Sequence, residues 1–357
     1  MASQQQQEGG ATIRVGTRSS ALAVVQAESV VAALQKAHPT LKFEIDAMKT
    51  MGDLDKITPL PDLGKGLWTS EFEAKLVANQ LDLVVHSAKD MPTALPEGCV
   101  LGSVLEREDP RDVVIFRRTP KSADDTAPRD TYRQIADLPA GSIVGTSSVR
   151  RMAQLRRRYP ALLFKDLRGN IDTRLRKLEA EGGAYDCIIL AAAGMRRMDF
   201  GARISQYLDS RTPGGGGIMH AVGQGALGLE CRDGDARVLD VVRSVAHMPT
   251  FLAVLAERYV MRTLEGGCSV PIGVETHWSD DMTTLTLKAT VVSLDGKQGV
   301  EAETTQDVST FADADAIGKV VSDELIAKGA QKILDEINAA KAAAPAAGPK
   351  LVPATAS

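Results

Sequence analysis

Leu83-Val84-Val85-His86-Ser87-Ala88-Lys89-Asp90-Met91-Pro92-Thr93 sets an apolar run directly against a cluster of groups that donate, accept or carry charge. Leu83 to Val85 is short, aliphatic and bounded by polar residues, and it reads as a buried parallel strand. In an open α/β sheet the residues after such a strand stand at its carboxyl end, where ligands bind. Asp90 is therefore the first candidate for chemistry, and capping of the turn before Pro92 is the alternative role for the same carboxylate.

Toward the N-terminus, Thr12 to Gly16 predicts a strand, Ala21 to about Ala37 a helix, Phe43 to Met48 a second strand, and Glu71 to Asn79 a helix. Ser19 or Ser20 can cap the first helix, which leaves Arg18 at its positive end, an arrangement suited to an anion. Gly, Asp, Pro and Lys dominate Gly52 to Gly66, a surface segment that carries Lys65.

Toward the C-terminus, Val100 to Leu105 and Val113 to Phe116 read as strands, and the polar stretch Thr119 to Tyr132 as an exposed insertion. A second α/β unit follows. Ser142 to Gly145 is a strand, Thr146-Ser147-Ser148 a hydroxyl-rich turn, and Val149 to Arg158 a helix stopped by Pro160. Leu162 to Leu167 and Arg168-Gly169-Asn170 repeat the plan, with Ile171, Leu175 and Leu178 as the apolar stripe. Tyr185 to Ala193 repeats it again and ends in Gly194-Met195-Arg196-Arg197.

Each of these strands delivers arginine to its carboxyl end. Between Thr146 and Lys177 the basic residues are Arg150, Arg151, Arg156, Arg157, Arg158, Lys165, Arg168, Arg174, Arg176 and Lys177, against the acids Asp166 and Asp172. In a chain of net charge -4, that local excess calls for an anionic partner. Helix geometry turns Arg176 and Lys177 away from the apolar stripe. Arg156 to Arg158 fall in a last helical turn, where cations complement the macrodipole. Arg150, Arg151, Arg168, Arg174 and Arg197 are left near a cleft.

Gly223 to Gly228 spells G-x-G-x-x-G, yet it leads into the strand-like Leu227-Gly228-Leu229-Glu230 rather than opening a helix, which excludes a dinucleotide site. The five histidines are scattered, and no metal site is expected. Cys99, Cys187, Cys231 and Cys268 form no Cys-x-x-Cys pair. Cys187 and Cys231 read as core residues. Cys268, in Gly266-Gly267-Cys268-Ser269-Val270-Pro271, sits on a glycine-permitted loop open to close approach, and spacing alone leaves its role open.

From Met248 the pattern changes to a helix, Phe251 to Leu264. Antiparallel strands follow at Val274 to His277, Thr284 to Ser293 and Gly299 to Val308, with a hairpin at Asp295-Gly296, then one or two helices over Ala312 to Ala340. At 357 residues the chain calls for two or three domains. The acidic balance argues against general nucleic-acid binding. No apolar run reaches the roughly 20 residues of a membrane span, and Met1 to Gly10 is polar and Gln-rich, so a cytoplasmic protein is expected.

An acidic residue, a ring of arginines and a glycine-flanked cysteine suggest a polyanionic small molecule in an interdomain cleft, since arginine forks bind carboxylate or phosphate bidentately, and the number of arginines implies several carboxylates at once. The motifs GTRSSALA, VVHSAKDMPT, EREDPRD, GTSSVRR, LRGNIDTRL, AVGQGALGLECR and LEGGCSVPIG, spread from Ile13 to Gly273, resemble those of the porphobilinogen deaminases (hydroxymethylbilane synthases). The resemblance implies two doubly wound, periplasmic-binding-protein-like α/β domains plus a small α+β C-terminal domain. These would be domain 1 over 12–116 and 222–246, domain 2 over 117–221 and domain 3 over 247–340, with disordered tails at 1–11 and 341–357.

It also implies a dipyrromethane cofactor joined by a thioether to Cys268, and condensation of four porphobilinogen molecules with release of ammonia. Asp90 is then the catalytic carboxylate. Arg18, Lys65, Lys89, Arg150, Arg151, Arg168, Arg174 and Arg197 hold acetate and propionate groups, with Ser20, Gln26, Thr146, Ser147, Ser148 and Gln224 as polar contacts. A monomer without nucleic-acid or membrane partners is expected. A non-catalytic binding module is the rival reading, and it has no need of Cys268 on a third domain.

Overall fold

In the computed structural model, described over residues 12–50, 69–120, 132–264 and 270–343, local sequence patterns and the observed elements agree closely. The strands are β1 (Thr12–Arg18), β2 (Lys42–Met48), β3 (Leu83–Ser87), β4 (Cys99–Val104), β5 (Asp112–Phe116), β6 (Ile143–Gly145), β7 (Leu163–Lys165), β8 (Cys187–Ala191), β9 (Gln206–Leu208), β10 (Leu227–Arg232), β11 (Ile272–Trp278), β12 (Thr284–Val292) and β13 (Gly299–Asp307). The helices are α1 (Ala21–Ala37), α2 (Ser70–Val77), α3 (Val149–Arg158), α4 (Ile171–Glu179), α5 (Ala192–Arg197), α6 (Ala236–Arg243), α7 (Met248–Thr263), α8 (Phe311–Ala327) and α9 (Ala330–Ala343).

These elements build two five-stranded sheets, ordered β2-β1-β3-β10-β4 and β7-β6-β8-β5-β9, and a three-stranded antiparallel sheet, β11-β12-β13. The run at Leu83 is unbroken because both faces of its sheet are covered. Leu83 and Val85 pack with Ile13, Val15, Val30 and Leu34 on one side, and Val84 with Phe72, Leu76 and Leu81 on the other. Burying one such side chain stabilises the fold by about 1.5–3 kcal/mol. The third sheet is closed by α7, α8 and α9, whose core includes Ala256, Val260, Ile317, Val321 and Leu334.

Pairing changes two expectations. β3 is parallel to β1 but antiparallel to β10. The strand at Asp112–Phe116, grouped by the sequence pattern with residues 12–116, lies in the second sheet, antiparallel to β8 and β9. In both sheets the fourth strand in order runs antiparallel and arrives from across the junction: β10 enters the first sheet and β5 the second. The two crossing segments run side by side, with Leu105 N–H on Leu227 O at 3.1 Å and Glu108 N–H on Gly225 O at 3.3 Å.

Arg107 pins this crossing to the third sheet's helices. Its Nε donates to Gln224 O at 2.7 Å, and its Nη atoms grip the buried Glu257 of α7 at 2.5 and 3.0 Å. Burial works against ionisation of Glu257, but Arg107 outweighs it and holds the carboxyl below its ordinary value.

α6 and β9 carry no signal that stood out from their surroundings, and both are made by packing. Val238, Leu239 and Val242 of α6 join the first core. α7 begins three residues before its apolar stripe, since His247 accepts from Thr250 N–H and Pro249 fits the first turn. α9 runs to Ala343, past the point where a tail was expected at 341. Arg156 and Arg157 do more than offset the α3 macrodipole. Arg156 Nη1 donates to Leu294 O at 2.7 Å and Arg157 Nη1 to Lys297 O at 3.1 Å, which docks α3 on the β12–β13 hairpin. Lys65, Cys268, residues 121–131 of the polar insertion, and residues 1–11 and 344–357 lie outside the described residues.

Candidate functional site

Because β1 and β3 are parallel neighbours, Arg18 and the segment Ser87 to Asp90 emerge at the same edge of the first sheet. β6, β7 and β8 are also parallel, so Thr146 to Ser148, Arg168 and Arg197 share one edge of the second. α1 packs on α5 and brings the two edges together.

Asp90 closes a single 3-10 turn, Ala88–Asp90, directly after β3. Its carboxylate makes no side-chain hydrogen bond or ion pair among the described residues, so the capping role is not the one it plays. The groups around it are cationic. Burial lowers the pKa of the half-buried Lys89. Asp90 and Asp112 oppose that shift, while Arg151 and Arg150 add to it. Burial also brings Arg174 down to about 10, helped by Arg151 and Arg168 and opposed by Asp90. Lys89 and Asp90 on one sheet, and Arg150, Arg151, Arg168, Arg174 and Asp112 on the other, therefore share one electrostatic field. Arg174 anchors itself through Nε to Gly169 O at 2.7 Å, and its Nη atoms make no hydrogen bond among the described residues.

Asp112 is the functional residue that sequence reasoning missed. It is 0% exposed, and Arg150 and Arg151, 5% and 6% exposed, both converge on it. Arg150 Nη1 reaches Asp112 Oδ2 at 2.6 Å. Arg151 Nη2 and Nε reach Oδ1 at 2.7 and 3.0 Å, and Gln224 Nε2 reaches the same atom at 2.9 Å. Burial raises the pKa of Asp112, yet the two guanidinium groups overcome it and hold the carboxyl well below the usual range. Arg150, Arg151 and Gln224, expected as ligand contacts, are thus first of all partners of Asp112. The available signal was an acid at the first position of the apolar run Val113 to Phe116, beside an unexplained excess of arginine.

The remaining expected contacts already serve the turns that present them. Ser20 Oγ caps α1 by accepting from Ala23 N–H at 3.4 Å. Gln26 is buried and accepts from Ser87 Oγ at 3.1 Å. Thr146 Oγ1 accepts from Ser148 N–H, Ser147 Oγ from Leu167 N–H, and Ser148 Oγ caps α3. Each keeps a hydroxyl proton to offer an anion. Arg197, whose pKa burial lowers, donates through Nη2 to Gly225 O at 2.7 Å. His86 is buried against Glu230, Nε2 to Oε2 at 2.8 Å, and Phe72, an orienting role. Burial raises the Cys99 thiol to about 11 and the Cys231 thiol to about 12, and raises Cys187 further, so none of the three is a nucleophile at neutral pH.

The glycine loop that is not a dinucleotide site supports the Asp90 turn from behind. Ala226 O accepts from Ala88 N–H at 3.0 Å. Gly223 holds φ +70, and a Cβ there would lie 3.0 Å from Ala88 C and 3.1 Å from Lys89 N. Gly223→Ala is expected to cost about 1–3 kcal/mol and to lower turnover about tenfold by displacing Asp90, read by urea unfolding together with steady-state kinetics. Unchanged kcat would mean the turn does not depend on this support.

A crevice with this charge excess suits a ligand bearing several carboxylates. The family model "Porphobilinogen deaminase, dipyromethane cofactor binding domain" matches residues 13–240, and "Porphobilinogen deaminase, C-terminal domain" matches residues 251–327. The chain is 54% identical to a porphobilinogen deaminase of Neurospora crassa, over 93% of this chain and 95% of that one. It is 47% identical to one of Yarrowia lipolytica, over 91% and 93%, and 44% identical to one of Saccharomyces cerevisiae, over 92% and 98%.

Proposed function

The chain belongs to the porphobilinogen deaminase family, and from that premise we propose that Asp90 is its catalytic carboxylate and that Lys89, Arg151, Arg168 and Arg174 hold the acidic side chains of the bound pyrroles. The enzyme is a transferase of tetrapyrrole biosynthesis: it condenses four porphobilinogen molecules head to tail, releases ammonia at each step, and frees hydroxymethylbilane by hydrolysis. It uses a dipyrromethane cofactor. The observation that carries the residue assignment is the shared field of Asp90, Lys89, Arg151, Arg168 and Arg174 across the two sheet edges.

The residues present fit that cofactor. Cations that lower one another's pKa in a half-buried crevice destabilise each other, and carboxylates relieve the repulsion. Lys89, Arg168 and Arg174, with Arg18 and Lys65, would hold the acetate and propionate groups. Arg150 and Gln224 would act chiefly by fixing Asp112 and, through it, Arg151. Cys268 would carry the thioether. When bound, the cofactor supplies a nucleophilic pyrrole α-carbon to which the first substrate is joined.

The protein's own part is electrostatic. The aminomethyl group of porphobilinogen is protonated at neutral pH, so ammonia can leave when the pyrrole nitrogen pushes electrons, and positive charge then develops on the substrate ring. Asp90 stabilises that charge through the pyrrole N–H. It is next placed to take the proton lost from the attacked α-carbon as a general base. Arg150, Arg151, Arg156 and Arg157 bond within the chain, which supports reading the basic stretch as site and scaffold rather than a nucleic-acid surface. We take the enzyme to work as a cytoplasmic monomer. Intact mass is expected to exceed the polypeptide by two pyrrole units localised to Cys268, and labelling found at another residue would overturn the attachment.

A further inference from the structure

The far end of α3 carries a second concentration of positive charge, seven residues from Arg150 and so about 10 Å along the helix. There the turn between β12 and β13 presses on the helix backbone. Gly296 holds φ +77, and a Cβ at that position would lie 2.7 Å from Arg157 N and 3.0 Å from Arg156 C, a closeness that only glycine permits. Beside this contact a cleft of about 330 Å³ opens between α3, the hairpin and the start of α9. Arg157, Lys297, Lys328 and Lys332 line it, with Val300 and Ile333 at its apolar wall and no acidic residue.

The charge there is only partly balanced. Lys328 Nζ donates to Glu324 Oε1 at 2.6 Å and to Glu301 O at 2.8 Å, and Lys297 Nζ stands 3.6 Å from Asp295 Oδ2. Arg157 gives its hydrogen bonds to backbone carbonyls, and neither it nor Lys332 has a carboxylate partner among the described residues. Lys332 also falls in the first turn of α9, where no acidic residue answers it. A cation there opposes the positive end of the macrodipole. Four cations surround this one cleft, and the two without a carboxylate partner among the described residues, Arg157 and Lys332, are the ones whose charge an anion there would answer.

We infer that this cleft binds a small anion bearing two or more phosphate groups. Ammonium groups bind phosphate oxygens as point charges with no fixed planar geometry, and a guanidinium fork matches phosphate as well, while the helix start offers backbone N–H groups to the same oxygens. Occupancy ties α3 to the third domain, and α3 is the helix whose first turn holds Arg150 and Arg151 in the crevice.

The test is calorimetric titration of the cofactor-bearing enzyme with inorganic pyrophosphate at fixed ionic strength, which holds general screening constant between the samples. Wild type is compared with the double variant Lys297→Gln/Lys332→Gln, whose side chains lie outside the crevice. The double variant is expected to bind pyrophosphate at least tenfold more weakly while kcat and KM for porphobilinogen stay unchanged. Equal affinity in the two proteins would place the anion in the arginine crevice and overturn the inference, as would absence of binding at millimolar concentration. Citrate binding as tightly as pyrophosphate would overturn the phosphate assignment.

Discussion

Asp90→Asn is expected to lower turnover by about 10²–10⁴-fold, the range associated with loss of a positioned acid–base group or of electrostatic stabilisation in a water-poor site, while cofactor attachment and folding persist. The substitution keeps shape, removes the charge and the proton-accepting group, and turns one acceptor oxygen into an NH2 donor. No side-chain bond is lost, because the Asp90 carboxylate has none among the described residues. What disappears is the anion within the turn that favours the charged forms of both Lys89 and Arg174 against the arginines around them, since Asp90 raises both of their pKa values. Two effects then act together: the developing cation on the substrate ring loses its counter-charge, and the surrounding cations become still less favourable to it. Single-turnover ammonia release, measured on protein whose intact mass shows the cofactor in place, separates this from an assembly defect. Near-normal release would remove Asp90 from the mechanism.

Asp112→Asn is the larger perturbation to stability. Asp112 is the shared counter-ion of Arg150 and Arg151 and accepts from Gln224 as well. Taking one member from a buried, hydrogen-bonded charge cluster costs about 3–5 kcal/mol, because the charges left behind stay desolvated. Against a typical total of about 5–15 kcal/mol, that is a lowered urea midpoint and the loss of a large share of the total stability.

The pH dependence has a definite sign. The folded-state pKa of Asp112 is depressed, so its contribution is fully present above the unfolded value of about 3.9 and is lost as pH falls from there toward the folded-state value. The Asn variant lacks that contribution throughout, so the gap between the two proteins should narrow progressively below about pH 4. A midpoint shift worth under about 1 kcal/mol at pH 7 would show that the arginines find other partners, as surface pairs do. Arg151 also links this cluster to Arg174 and Lys89, so kcat should fall with stability rather than independently of it.

Local patterns were enough for most elements, α6 and β9 excepted, and for the polarity of each strand's end. Apolar runs and the 3.6 period are local, and the strand runs are unbroken here because both sheets are covered on both faces; α1 and α3 fall where their spacing placed them, and the structure selects Ser20 over Ser19 as the cap of α1 and adds Ser148 as the cap of α3. The sequence by itself also determined that Asp90 and the arginines belong to carboxyl ends of strands, where a parallel sheet must expose them.

Tertiary structure alone decided which charge meets which. Asp112 lies 38 and 39 positions from Arg150 and Arg151 and 112 from Gln224, and no local pattern shows that β5 crosses into the second sheet while β10 crosses back. Those exchanges depend on hydrogen-bond pairing between distant segments, and the energy that selects them, burial of two guanidinium groups around one carboxylate, exists only once the sheets have closed.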